Sequence, residues 1–450
     1  MADRIDTLVI LGAQGDLTSR LLLPGLASYL GSERAHGIRL IGADREPLSD
    51  DGWRQRVTAS FGDEAAPLAR EVLEGSRYQQ CDVTDADALA SLLAACQGRT
   101  ALYFALPPSV TERACRTLST MSLPAGLTLA LEKPFGTDLR SAKALNRLLE
   151  TMVPEEQVFR VDHFLGKSTV LNLLGLRFAN RIFEPLLSAP NVERIDIVVD
   201  ETLGLEGRAG YYDTAGALID MIQSHLLLVL ALVTMEPPAS LQHNDLRGSM
   251  AQVLRATRPH RADGTSSRRA RYGAGRIGDR DLPAYVDEPG VDPARGTETL
   301  AEVTLEIDNW RWAGVPIRLR SGKGLGDARQ DILVTFRPVP HLPTGFSGGD
   351  EQPSVLRISM KPATLALDLV VNGEGDPFEL ERTQLDAELR AGDLSAYGEV
   401  LNALMDGDPS LAVRGDVAEE CWRIVTPFLQ AWREDAVPLE SYPAGSSGPA

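Results

Sequence analysis

Thr7-Leu-Val-Ile-Leu11-Gly12-Ala-Gln14-Gly15-Asp16-Leu17 is the stretch from which the fold of the first third of the chain is read. Apolar and β-branched residues at 7–11 make a short buried strand, the glycines break it, and residues 17–30 carry the apolar spacing of a helix. Strand, glycine turn, helix is the setting in which such a pair can cradle a dinucleotide. Gly12 permits the tight turn, and Gly15 lets backbone amides approach a pyrophosphate at the helix N-terminus. Outward from this unit, strands are predicted at 38–43, 78–82, 101–106, 127–131 and 158–161, with helices at 86–96, 111–118 and 139–150. That alternation predicts a parallel, doubly wound sheet: an α/β, Rossmann-like dinucleotide-binding domain over residues 1–163.

The texture changes after Phe164. Strand-like runs at 192–199, 301–307, 317–319, 332–336, 355–360 and 365–371 follow with no helices between the later ones, and helical blocks are predicted at 216–234 and 385–404. Residues 164–450 are therefore expected to form an α+β domain with a large, mainly antiparallel sheet. The Gly-, Arg- and Pro-rich stretch 261–296 reads as a long surface connection, the Arg268, Arg269, Arg271 cluster as a solvated loop face, and residues 442–450 as a frayed tail.

Among 450 residues, 43% are apolar and 24% charged, a normal soluble balance; 63 acids against 45 bases give a net charge of -18. That charge argues against nucleic-acid and anionic-membrane partners, so an anionic ligand requires a local basic pocket. Only five of the bases are lysines: Lys133, Lys143, Lys167, Lys323 and Lys361. Cys81, Cys96, Cys115 and Cys421 have neither zinc-ligand nor disulfide-framework spacing, so no metal site is expected. Reduced cysteines and an N-terminus without signal-peptide features predict a cytoplasmic protein. The longest apolar run, Leu226 to Met235, is half a membrane span and suits a buried helix.

Chemistry-bearing residues gather where strands end. Asp44 and Arg45 stand where the adenosine ribose would lie: an acid there favours the 2′-hydroxyl of NAD, an arginine the 2′-phosphate of NADP, and both are present. Lys133 lies between the fifth strand and Pro134. Asp162, His163 and Lys167 follow the sixth, where an acid can orient an imidazole and an imidazole with an ammonium can hold a phosphate. Asp220 and His225 lead into the apolar helix, and Arg320-Ser-Gly-Lys323 places further bases at a strand end.

The motifs GAQGDL (12–17), ALPP (105–108), EKPFGTDL (132–139), RVDHFLGK (160–167), GYYDTAGALIDMIQSH (210–225), EPGV (288–291) with TET (297–299), DNWRWAGVP (308–316) and RSGK (320–323) resemble, in order, those of the glucose-6-phosphate dehydrogenase family. The resemblance implies oxidation of the C1 hydroxyl of glucose 6-phosphate to the lactone with hydride transfer to NADP or NAD, the first step of the pentose phosphate pathway. It implies His225 as general base and Asp162 as its orienting carboxylate. His163 and Lys167 match phosphate ligands, Glu201 and Asp220 match ligands of sugar hydroxyls, and Lys133 and Lys323 match lysines lining the substrate and nicotinamide pocket. Gly12, Gln14, Gly15, Asp16, Leu17, Asp44, Arg45 and Lys133 fall at cofactor positions. A homodimer or homotetramer is implied as well, with residues 164–450 as the substrate-binding and oligomerisation domain.

The chain departs from the family pattern at several places. Phe164 stands where tyrosine is usual, Ser168 for glutamate, Leu21 for lysine, Gln14 for serine or threonine, and Asp44 for a small neutral residue. These differences bear on substrate affinity and cofactor choice. They leave open a paralogue acting on a modified or non-phosphorylated hexose.

Overall fold

The computed structural model describes residues 4–62, 66–207, 209–348, 353–390 and 392–450. The chain divides into two compact units. The first comprises residues 1–171, 237–251 and 392–422; the second comprises 172–236, 252–391 and 423–450. The first unit is thus not one continuous stretch ending at 163, because two later segments return to it.

In the first unit, β1 (Thr7–Leu11), β2 (Arg39–Asp44), β3 (Arg77–Gln80), β4 (Thr100–Phe104), β5 (Thr128–Glu132) and β6 (Val158–Val161) form a parallel sheet in the order 6-5-4-1-2-3. β19 (Ala412–Val413) adds an antiparallel strand beside β6. Strands β1 and β4 are buried at every position, as expected for a sheet covered on both faces. Tyr29, Trp53, Leu401 and Leu404 belong to the core around it. Helices Asp50–Phe61, Pro67–Gly75, His243–Ala256 and Gly415–Arg433 were not anticipated from the sequence, and the helix after ALPP starts at Pro108 rather than 111. Proline at a first helical turn needs no N–H partner, so it opens this helix instead of delaying it.

In the second unit, the strands are β7 (Val192–Asp200), β8 (Thr257–Pro259), β9 (Ser267–Gly273), β10 (Gly275–Ile277), β11 (Arg280–Leu282), β12 (Leu300–Ile307), β13 (Ile317–Gly322), β14 (Arg329–Phe336), β15 (Ser347–Gly348), β16 (Val355–Met360), β17 (Ala363–Asn372), β18 (Glu379–Glu388) and, beyond Ala412–Val413, β20 (Leu439–Pro443). Eleven of them make one mixed sheet in the order 15-18-17-16-14-7-13-12-9-20, with β8 also on β12. Its pairings are mainly antiparallel, but β7 lies parallel to β13, β9 to β20 and β15 to β18. The stretch Ala209–Thr234 is long and apolar enough to cross a membrane, yet 89% of its apolar window is buried inside the structure.

Four expectations are corrected here. Residues 385–388 belong to β18, not to a helix, and the helix is Ala396–Met405. The helix-forming Leu385, Ala387 and Glu388 are overridden by registered pairing with β17, from Thr364↔Glu388 to Asn372↔Leu380. The stretch 261–296 is not a loose connection: it carries β9 to β11, and its Tyr272 and Tyr285 are buried. The arginine cluster is not a solvated face, since Arg269 is buried against Asp435 and the Val437 carbonyl, and Arg268 pairs with Glu440. The tail is not frayed either, because β20 pairs with β9 and Tyr442 is buried.

Candidate active site

In the first unit, the site grows from the carboxyl ends of the parallel strands. Gly12 has φ +90°, and a Cβ there would stand 2.3 Å from the Ala105 carbonyl oxygen, so only glycine fits this turn. Its carbonyl accepts from Gly15 N at 3.0 Å and Thr18 Oγ1 at 2.9 Å, and the helix begins directly after the loop. Asp44 closes β2: Oδ2 accepts from Gln14 N at 3.1 Å and Oδ1 from Arg45 N at 2.7 Å. The Gln14 amide donates to the Glu46 carbonyl and to the Tyr78 hydroxyl, both at 3.0 Å. A groove of about 340 Å³ opens here, lined by Gly12, Asp44, Arg45, Thr84, Leu106 and Arg113. A glycine cradle with two guanidiniums fits a phosphorylated dinucleotide. Asp16 and Leu17 lie at the helix start beside it.

Lys133 follows β5, and the turn after it is fixed by the Trp422 indole, which donates to the Phe135 carbonyl at 3.0 Å. Next to Lys133, the half-buried Glu132 lies under two tyrosines: Tyr103 OH donates to Oε1 at 2.5 Å and Tyr397 OH at 3.2 Å. Burial pushes its carboxyl up to about 7, although both hydroxyls and the Lys133 charge pull the other way.

Asp162 is fully buried at the end of β6, and Oδ1 accepts from Phe164 N at 3.0 Å, locking the turn that presents His163. The His163 ring stacks on Tyr397 (5.7 Å between centroids, 12° between planes) and meets Phe164 edge-on at 5.2 Å. Lys167 Nζ sits 3.5 Å above the Phe164 ring centroid, a cation–π contact where the usual tyrosine would add a hydroxyl. Leu21, at the lysine-bearing position, is an exposed residue of the helix after the glycine turn.

The second unit assembles its own group. Because β7 and β13 run parallel in register (Asp200↔Gly322), the next residues, Glu201 and Lys323, emerge side by side and form an ion pair. Lys323 is buried, with Nζ 5.2 Å from the Tyr212 ring centroid. Its backbone is held on both sides: Lys323 N donates to the Thr299 carbonyl at 2.9 Å, and Tyr442 OH donates to the Lys323 carbonyl at 2.6 Å. Asp220 and His225, both buried, share the wide-turned helical segment Leu218–Leu226.

Each unit therefore collects the residues named for it from the sequence: Gly12 to Leu17, Asp44, Arg45, Lys133, Asp162, His163 and Lys167 in one, Glu201, Asp220, His225 and Lys323 in the other. Arg113, Tyr103, Tyr397 and Tyr442 were missed, and Glu132 and Glu298 were quoted in motifs without a role. A helix start at Pro108 would have put Arg113 in the second turn, close to the cofactor groove; the tyrosines carry no local signal.

Glycine turn, parallel sheet and strand-end histidine, acids and lysines define a nicotinamide-dependent oxidoreductase built on a dinucleotide fold. The profile described as "Glucose-6-phosphate dehydrogenase, NAD binding domain" matches residues 9–172, and "Glucose-6-phosphate dehydrogenase, C-terminal domain" matches 174–450. Relatives named glucose-6-phosphate 1-dehydrogenase include one from Zymomonas mobilis, 37% identical over 100% of this chain and 97% of its own length. One from Gluconobacter oxydans is 38% identical over 98% and 94%. The crystal structure of glucose-6-phosphate 1-dehydrogenase from Mycobacterium avium superposes with a TM-score of 0.88 at 32% identity, over 99% of this chain and 95% of its own. Another, a glucose-6-phosphate dehydrogenase in complex with its substrate glucose 6-phosphate, gives 0.90 at 29%, over 100% and 97%. The chain belongs to the glucose-6-phosphate dehydrogenase family.

Proposed function

We propose that the protein oxidises the C1 hydroxyl of glucose 6-phosphate to 6-phosphoglucono-lactone, with NADP as the hydride acceptor and NAD as the alternative, the first step of the pentose phosphate pathway. The observation that carries the reading is the match of both family domains over residues 9–172 and 174–450. A bound nicotinamide supplies the hydride acceptor; the chain supplies binding and proton movement. His225 takes the C1 hydroxyl proton as the C1–H electron pair departs, and Asp162 orients it and stabilises the imidazolium. His163 and Lys167 hold the 6-phosphate, Glu201 and Asp220 take sugar hydroxyls, and Lys133 and Lys323 line the pocket. The test is steady-state oxidation of glucose 6-phosphate by the wild type and His225→Asn. A loss of roughly 10²–10⁴-fold in kcat is expected, and equal turnover overturns the assignment.

NADP is favoured over NAD by Arg45 and Arg113, which both line the groove, whereas the Asp44 oxygens already accept from Gln14 N and Arg45 N. An NAD preference above about tenfold in kcat/KM, or about 1.4 kcal/mol, would reverse this choice. The rival substrate, a modified or non-phosphorylated hexose, rests on Phe164 and Leu21 alone; a sugar lacking the 6-phosphate with the highest kcat/KM would establish it. A homodimer or homotetramer is supported by Val371, Phe378 and Leu385, exposed on and beside β17 and β18. A cytoplasmic location is supported by four free cysteines.

A further inference from the structure

The TET motif contains a buried acid that the catalytic reading does not use. Glu298 lies two residues before β12 and is buried. Opposite it, the chain breaks its helical course at Gly216 (φ 66°, ψ 177°) before the segment that carries Asp220 and His225. A helix that starts afresh leaves its first N–H groups without internal acceptors. Glu298 supplies two: Oε1 accepts from Leu218 N at 3.0 Å, and its main-chain oxygen accepts from Ala217 N at 3.3 Å. A Cβ at Gly216 would stand 2.3 Å from Glu298 Oε1, so the glycine is what lets the carboxyl reach in.

We infer that Glu298 is a positioning residue that fixes the start, and hence the register, of the segment bearing Asp220 and His225. The inference rests on the reading of His225 as the base and Asp220 as a sugar ligand. Arg269 on β9 and the tyrosines Tyr212 and Tyr285 lie within electrostatic reach. Burial pushes the Glu298 carboxyl up to about 7, with the backbone N–H bonds and Arg269 opposing. Near neutrality it is therefore divided between acid and anion, and either form can accept from Leu218 N. An amide can as well. Losing the contact lets the segment shift, and a displacement of about 1 Å at a reacting group can cost on the order of a hundredfold in rate.

The experiment compares wild type, E298Q, E298A and E298D, with H225N alongside, for kcat, for KM of glucose 6-phosphate and NADP, and for the pH profile. E298A should lower kcat at least tenfold, raise the sugar KM and leave the NADP KM within twofold; E298Q should recover kcat and sugar KM to within about threefold. E298D, whose carboxyl is drawn back by one methylene, should be impaired like E298A, and it decides the matter if E298A does not fold. Wild-type kinetics in E298A or E298D overturn the inference. So does E298Q as impaired as E298A, or a fall in kcat with unchanged sugar KM and pH profile, which signals only lost active protein. Inactive H225N beside normal E298A removes the positioning role alone, whereas fully active H225N removes the catalytic reading itself.

Discussion

Glu132→Gln separates the charge of this carboxyl from its shape. The amide oxygen can still accept from Tyr103 and Tyr397, but it cannot ionise. In the wild type, burial raises Glu132 from 4.5 to about 7. Between those values the folded protein keeps a proton that the unfolded chain has released, so stability falls as pH rises. The contribution is fully present below about 4.5 and gone above about 7. At about 1.36 kcal/mol per pKa unit, the whole step is about 3 kcal/mol. A pI near 4.9 makes the acid end poorly soluble, so the useful scan begins at about pH 5.5, leaving about 2 kcal/mol to be lost by pH 7. E132Q carries no such loss. Its melting midpoint should climb relative to the wild type by roughly 4–8 °C across that range, at roughly 2–4 °C per kcal/mol for a domain of this size. Glu298 titrates alike in both proteins and cancels in the difference. Scanning calorimetry of both proteins at constant ionic strength, from about pH 5.5 to 8, measures it. Parallel midpoint curves, or E132Q falling more steeply, would refute the buried-acid argument.

Three further outcomes are expected. R113A should lower kcat/KM for NADP by roughly ten- to a hundredfold, the loss of a charged contact of about 1.5–3 kcal/mol, while the value for NAD changes less than about twofold; equal losses would remove Arg113 from 2′-phosphate recognition. F164Y should return a hydroxyl beside Lys167 and lower the KM for glucose 6-phosphate by up to roughly tenfold, about 1.4 kcal/mol, and an unchanged KM would show that the phenyl ring already does the work. L385E places a charge opposite Leu367 of β17, on the side of the sheet that carries Leu369 and Val371, and should shift the protein to a smaller species in light scattering after gel filtration; an unshifted mass would exclude that face as the interface.

What the sequence made legible follows from how far each signal reaches along the chain. A continuous apolar strand such as Thr7–Leu11 declares itself locally, since both faces are covered and every residue is apolar or β-branched. Some site residues were legible for a related reason: Lys133, Asp162 and Lys323 each stand directly after a strand, whereas Glu201, which follows β7, was reached only through the family resemblance. β18 was not, because ELERTQLDAE is polar nearly throughout, and only its partner β17 makes it a strand. Tyr442 was hidden among Pro, Gly and Ser residues typical of loose tails. Its burial is created by β9, Thr299 and Lys323, far away in sequence. Tyr397 likewise becomes meaningful only when its helix returns to the first unit and lays the ring on His163.

One topological rule explains why the two units present their chemistry alike. In a parallel sheet all strands end at the same edge, so residues following them converge without any long-range design. The first unit has this edge by virtue of its fold. The second is mainly antiparallel, where neighbouring strand ends normally point apart, but the parallel pairing of β7 with β13 restores the geometry locally, and Glu201 and Lys323 meet there. The same logic bears on the lysine usage. Against a net charge of -18, an anionic substrate needs positive charge that is local and partly shielded from solvent. Lys133, Lys167 and Lys323 are three of only five lysines, and Lys323 is buried with its charge held by Glu201. An ammonium is a compact point charge that one carboxylate can hold in a narrow space, whereas a guanidinium fork needs a planar partner and more room. Arginine dominates elsewhere, Arg45 directly after β2 included; at Lys323 the buried pairing with Glu201 suits an ammonium.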